Sequence, residues 1–189
     1  MTVKTSPLTP DLWGDLETVF GASGAYANCW CMWWRMPRKA FDAVGGDAKR
    51  AAFKAVVDDA APPPGLLAYD ATGAPVAWVA LGPRSSYPTL QRSPTLKGVE
   101  DDGAWIATCF FVHKAHRGGG LIHDLIEAAL AHAAAAGAPA LLSIPRVLEE
   151  GARLPNGSDF VGTETVFAAH GFEVVSRPRP TRAVMRREL

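Results

Sequence analysis

The 189-residue chain holds three cysteines, and two of them, Cys29 and Cys31, are separated by a single residue. That is too few, and too close, for a disulfide framework. Its five histidines stand at no spacing that would hold a metal, so no metal is expected. No apolar run is long enough to cross a bilayer, and the opening MTVKTSPLTPDLW has no apolar signal core. An excess of charge of one sign is also missing. Lys+Arg and Asp+Glu are both 19, the net charge is zero, and no basic field points to nucleic acid. No repeat and no second core interrupts the pattern. The expectation is therefore a cytoplasmic protein in a reducing compartment, a single domain over 1–189, with neither membrane nor nucleic acid as partner.

What is present is concentrated in WIATCFFVHKAHRGGGLIHDLIEAALAHAAAA, residues 105–136. Trp105 to Val112 is a continuous apolar run rich in aromatic and branched residues, which predicts a largely buried strand. A basic turn, His113 to Arg117, leads into Gly118, Gly119 and Gly120. Leu121, Ile122, Leu125, Ile126, Ala129, Leu130 and Ala133 then share one helical face, and Gly137 supplies the stop. A strand, a glycine turn and a helix in that order point free backbone N–H groups at an anion such as phosphate or pyrophosphate. The turn is not a P-loop, for no Gly-Lys-Ser/Thr follows. Nor is it the dinucleotide fingerprint, because His123 occupies the third glycine's place.

The rest of the chain predicts a strand at Val3–Leu8, a helix capped by Thr9 and entered through Pro10, and a second helix over Gly46–Ala60. A hairpin of Gly65–Asp70 and Pro75–Leu81 follows. Strands are expected at Pro139–Ile144, Phe172–Val175 and Thr181–Arg186, with a short helix through Thr163–Ala168 opened by Asp159. Irregular insertions are expected near 83–103 and 146–159. Between the first two helices lies Tyr26-Ala27-Asn28-Cys29-Trp30-Cys31-Met32-Trp33-Trp34-Arg35-Met36. Its tryptophans fit either a hydrophobic plug or the wall of a pocket that holds a ring or a cation. Cys29 and Cys31 read as packing residues.

The turn resembles the acyl-CoA loop of the GNAT N-acetyltransferase superfamily, in which a strand ending in Val is followed by Arg/Gln-x-x-Gly-x-Gly/Ala. Val112-His113-Lys114-Ala115-His116-Arg117-Gly118-Gly119-Gly120-Leu121-Ile122 keeps the spacing through Arg117 and Gly120, and departs at Ile122, where the family has a small residue. The order of predicted elements resembles the whole family topology. Phe167-Ala168-Ala169-His170-Gly171-Phe172 resembles the family's Tyr…Gly-Phe close of the last helix. The resemblance implies an α/β fold with a mixed, mostly antiparallel central sheet flanked by about four helices. It also implies acetyl-CoA as co-substrate, with the backbone of Phe110, Phe111 and Val112 pairing with pantetheine and that of Arg117 through His123, Leu121 and Ile122 included, holding pyrophosphate.

Acetyl transfer needs a neutral amine, a route for its proton and a donor to the departing thiolate. The family's usual Tyr donor is Phe167 here, and Phe160 stands where an Asn often touches the cofactor, with Asn156 close by. Ser143 falls where relatives often carry a carboxylate. Ser143 is a weak candidate, being a poor base without a partner, and the other candidate proton acceptors are Glu164, Asp159, Asp101, Asp102 and His113, each of which also reads as a surface or capping residue. Trp30, Trp33, Tyr87 and Phe167 are the candidate walls of the acceptor site. Arg84, Arg92 and Lys97 are candidates for meeting an anionic group. The expected partner is a small-molecule or protein amine, with a homodimer left open. A non-catalytic acyl-CoA sensor and a nucleotide-binding protein are the alternatives.

Overall fold

The computed structural model describes residues 3–100, 102–149 and 160–189. Strand β1 (Lys4–Pro7) is followed by helices α1 (Trp13–Phe20), α2 (Arg38–Ala43) and α3 (Gly46–Asp59). Strands β2 (Gly65–Tyr69), β3 (Pro75–Pro83) and β4 (Trp105–Val112) come next, with the one-turn helix α4 (Pro88–Gln91) between the last two. Helix α5 (Leu121–Ala135), strand β5 (Ala140–Ser143), helix α6 (Glu164–Ala168), and strands β6 (Glu173–Arg179) and β7 (Arg182–Glu188) complete the order. All seven strands form one sheet in the order β1-β2-β3-β4-β5-β7-β6. Every neighbouring pair is antiparallel except β4 and β5, which are parallel. The fold class read from the sequence holds.

Two layers of helices cover this sheet because its strands bury both faces. On one face Leu121, Leu125, Ile126, Ala129, Leu130 and Ala133 of α5 lie on Val79, Leu81, Ala107 and Phe110. Each fully buried Leu or Ile there contributes ~1.5–3 kcal/mol of hydrophobic stabilisation. On the other face Trp13, Leu16, Phe20 and Phe53 surround Trp78, whose ring meets Phe20 and Phe53 edge-on at 6.2 and 6.1 Å. Gly137, at φ +77°, ends α5 in the left-handed conformation that glycine tolerates.

Several expectations need correcting. Six α-helices stand among the described residues where about four were expected, because α2 and α4 are too short for a periodic signal. The stretch near 83–103 is not irregular throughout. β3 runs on to Pro83, and Tyr87, Leu90 and Leu96 pack against Ile106, Leu142 and Val184 as a third cluster. Thr9 makes no side-chain cap. Helix α6 is capped by Thr163, whose Oγ1 accepts from the Val166 amide at 3.4 Å, while Asp159 lies outside the described residues. No helix among the described residues is long and apolar enough to cross a membrane.

Two glycines separate the role of space from that of propensity. A Cβ at Gly65 would collide with the Val79 carbonyl oxygen and the Trp78 ring, whereas one at Gly14, on the exposed side of α1, meets nothing. Gly65→Ala should therefore destabilise the protein by ~1–3 kcal/mol through forced backbone shifts. Gly14→Ala should stabilise it by about 0.5–1 kcal/mol through helix propensity. Urea denaturation of the two variants checks both signs.

Candidate functional site

The site begins where two parallel strands part. β5 pairs with β4 only at Trp105–Leu141, Ile106–Leu142 and Ala107–Ser143, so β4 continues to Val112 beyond the end of β5. Backbone groups along that free half need partners. One is found locally: the Phe110 amide donates to the Phe160 carbonyl at 2.6 Å, and the Phe160 ring stacks on Phe111 with centroids 5.7 Å apart. At the point of parting β4 also bulges. Ala80 and Leu81 of β3 face Cys109 and Ala107, leaving Thr108 as the extra residue. A bulge re-aims backbone groups.

At the far end of β4 the glycine turn is built as its sequence requires. Gly118 and Gly120 are left-handed, at φ +81° and +80°, and lead into the first turn of α5, with Gly120 at its N-cap. The Arg117 guanidinium folds back, its Nε donating to the Val112 carbonyl at 2.9 Å. Gly118, Gly119 and Gly120 are exposed, Leu121 is buried beneath them, and an ideal Cβ on Gly162 would lie 3.3 Å from Ile122. Ile122 thus fills the corner beside Gly162 and Phe167. A side-chain chain runs outward from this turn: His123 Nδ1 lies 2.8 Å from His170 Nε2, and His170 Nδ1 lies 2.5 Å from a Glu127 oxygen.

On the sheet face opposite α5, a cavity of about 300 Å3 opens beside the bulge. Tyr26, Cys29, Cys31, Trp33 and Trp34 line it from the connection between α1 and α2, and Thr108 and Cys109 from β4. Arg146, Phe160, Val161 and Arg182 complete the wall. The connection is held in an unusual backbone. Ala25, Ala27, Asn28, Trp30 and Cys31 all have positive φ, a region that non-glycine residues seldom enter and that clusters at functional sites. Of the candidate acceptor residues, only Trp33 reaches this cavity. Trp30 is instead buried and stacked on Trp13 with centroids 6.0 Å apart. Tyr87 is buried beneath the Arg35 guanidinium, 4.3 Å from its ring, and burial raises its phenol pKa. Phe167 is buried between Phe110 and Phe172, at 5.6 and 5.1 Å. These three are core residues.

The acid–base candidates are mostly committed elsewhere. Glu164 is gripped by both Arg177 Nη atoms at 2.9 and 2.6 Å, which lowers its pKa. Asp102 is held by Arg186 at 2.7 Å and is likewise lowered. His113 caps the turn that follows it, its Nδ1 accepting from the Ala115 amide at 3.4 Å. Ser143 is fully buried and its hydroxyl has no hydrogen-bond partner among the described residues. Asp101, Asp159 and Asn156 lie outside the described residues, and Arg92 and Lys97 do not line the cavity. Arg84 donates to the carbonyls of Val99 and Glu100.

The sequence reading missed Thr108 and Cys109. The bulge has no sequence signature here, and Cys109 lies far along the chain from Cys31. All three thiols are free and meet at the cavity. Cys31 Sγ accepts from Trp78 Nε1 at 3.2 Å. Hydrogen bonding from Cys109, helped by Trp78 and the charge of Arg35, lowers the Cys31 pKa against the effect of burial. Its neighbour Cys109 is raised, by Cys31 and by burial, and burial pushes Cys29 up to about 11. No group of His, Cys, Asp and Glu among the described residues is placed to hold a metal.

A parted strand pair, a glycine turn at a helix start and a cavity across the sheet lie together on this α/β fold. The acetyltransferase (GNAT) family matches over residues 30–151, and the chain belongs to that family. Solved structures with the same fold include an acetyltransferase from Thermus thermophilus, at 17% identity, TM-score 0.56, covering 100% of this chain and 98% of that one. A structure of histone acetyltransferase HPA2 and related acetyltransferase from Corynebacterium glutamicum shares 14% identity, TM-score 0.60, over 100% and 97%. The GNAT family N-acetyltransferase YhbS of Escherichia coli, in complex with CoA, shares 15% identity, TM-score 0.57, over 100% and 82%. No curated protein sequence matches.

The grip on Glu164 has a measurable sign. A carboxylate whose pKa is lowered by folding adds stability above its unfolded value, about 4.3, and loses it as pH falls through the folded value. Between neutral pH and pH ~3.5 the parent should therefore lose more stability than Glu164→Gln. Melting temperatures of both proteins across that range test this.

Proposed function

We propose that the protein is an acetyl-CoA-dependent N-acetyltransferase acting on a primary amine of a small, partly apolar acceptor. The observation that carries this reading is the alignment of three features along one line: the glycine turn, the free half of β4, and the aromatic cavity beside the Thr108 bulge. Family membership and the CoA complex of YhbS support acyl-CoA as the donor. Pyrophosphate would meet the amides from Arg117 through His123, where the dipole of α5 favours an anion. The pantetheine arm would run along Phe110, Phe111 and Val112 as an added strand, replacing the Phe160 carbonyl at the Phe110 amide. The acetyl group would then reach the bulge, where re-aimed amides can meet the oxygen that becomes negative in the transition state. Trp33 and Tyr26 offer aromatic faces for the acceptor at the cavity mouth. Free thiols accord with a reducing, cytoplasmic setting. The burial of Phe167 and Ser143, which leaves the usual acid and base positions empty of chemistry, favours a second reading: an acyl-CoA sensor.

Titration calorimetry with acetyl-CoA should give a Kd on the order of micromolar for the parent. Gly120→Glu, which puts an anion into the cradle at a left-handed position, should weaken binding by more than about tenfold, or 1.4 kcal/mol. Failure of the parent to bind would overturn both readings. An alkyl- and arylalkylamine panel, read by CoA thiol release, then separates them: turnover supports the enzyme and binding without turnover the sensor.

A further inference from the structure

We infer that Cys31 is a nucleophile that carries the acetyl group, so that transfer proceeds through an acetyl-cysteine rather than by direct attack of the amine on acetyl-CoA. The inference rests on the acetyltransferase reading and deepens the same site. Among the described residues on the cavity wall there is no carboxylate and no histidine. What faces the space beside the bulge is a set of thiols, Cys31 and Cys109 next to Thr108. The wall also carries the Tyr26 phenol, but a thiol ionises far more readily than a phenol, and a thiolate is a strong nucleophile.

The surroundings of Cys31 distinguish it from its neighbours. Its sulfur accepts the Trp78 indole N–H, a donor fixed in the core by edge contacts to Phe20 and Phe53. The neighbouring Cys109 thiol and the positive charge of Arg35 both favour the ionised form of Cys31. Arg35 Nε and Nη2 are buried without hydrogen-bond partners among the described residues, and this charge would be offset by a thiolate nearby. These are the conditions that hold a cysteine as its thiolate. Cys31 also closes the run of positive-φ residues from Ala25, so a strained backbone delivers this thiol to the cavity.

The chemistry balances without any further reactant. The Cys31 thiolate attacks the thioester carbonyl carbon; a carbon–sulfur bond to Cys31 forms and the one to CoA breaks. Cys109 gives its proton to the departing CoA thiolate. A neutral amine then attacks acetyl-Cys31; the carbon–nitrogen bond forms, the Cys31 thiolate leaves, and the amine's proton returns to Cys109. One acetyl-CoA and one amine become one amide and one CoA thiol. This route supplies the acid and base that Phe167 and Ser143 do not.

The acceptor need not be known for the test. Reduced protein is mixed with acetyl-CoA without amine, quenched in acid, and weighed intact by mass spectrometry. The expected result is close to one acetyl group per chain, equimolar CoA thiol released, removal of the group by neutral hydroxylamine, and its location on Cys31 by fragmentation. Cys31→Ser and Cys31→Ala should load no hydroxylamine-labile acetyl group while still binding acetyl-CoA in the calorimeter. A parent that binds acetyl-CoA but acquires no acetyl group, or a label that persists in both variants, overturns the acetyl-cysteine and leaves the acetyltransferase reading standing. Absence of binding by the parent overturns that reading as well.

Discussion

The constraint on which the site depends is that backbone polar groups cannot be left without partners. β5 satisfies β4 only as far as Ala107, and the candidate site begins there. The strand does not stop when its neighbour does, because Phe110 and Phe111 bury their rings on opposite faces of the sheet and hold it in place. An extended backbone is thus fixed by its side chains while part of its hydrogen-bonding edge stays available. The protein's own Phe160 carbonyl meets one of those amides. A ligand arm that pairs there exchanges one hydrogen bond for another, so its net affinity has to come from contacts beyond that amide.

The two sheet faces divide the labour. α5 anchors the glycine turn by burying Leu121, Leu125 and Ile126, and the turn itself packs almost nothing, which leaves its amides accessible. The opposite face is built of aromatic rings around Trp78, and a second set, Tyr26, Trp33, Trp34 and Phe160, lines the cavity beside β4. Core packing and site chemistry meet in a single bond, from the Trp78 indole to Cys31.

Much of this was legible in the chain because its strongest signals are continuous. The apolar run at Trp105–Val112 and the apolar stripe after Gly120 gave β4 and α5 at their observed bounds. The glycine turn could be read because its conformation resides in backbone, which spacing reveals. The acceptor wall was harder. In a connection with alternating left-handed residues no periodicity links sequence to direction, so Trp33 faces the cavity and Trp30 the core. Tyr87 looked like a loop aromatic, yet the segment around it folds down onto Ile106 and Leu142. The thiol cluster was invisible because Cys31 and Cys109 meet only once β3 and β4 pair and Trp78 holds the loop against them.

The sheet's outer strands carry a separate consequence. Among the described residues its edges, β1 and β6, have no strand beyond them, the position at which a sheet can template the strand of another molecule. Both contain proline, Pro7 and Pro178, which cannot donate to a ladder, and both carry charge, with Lys4 on one and Arg177 and Arg179 on the other. β6 adds register shifts near Ser176 that twist it away from flat pairing. Val174 and Val175 are exposed on that edge, and these devices guard them against sheet-to-sheet aggregation.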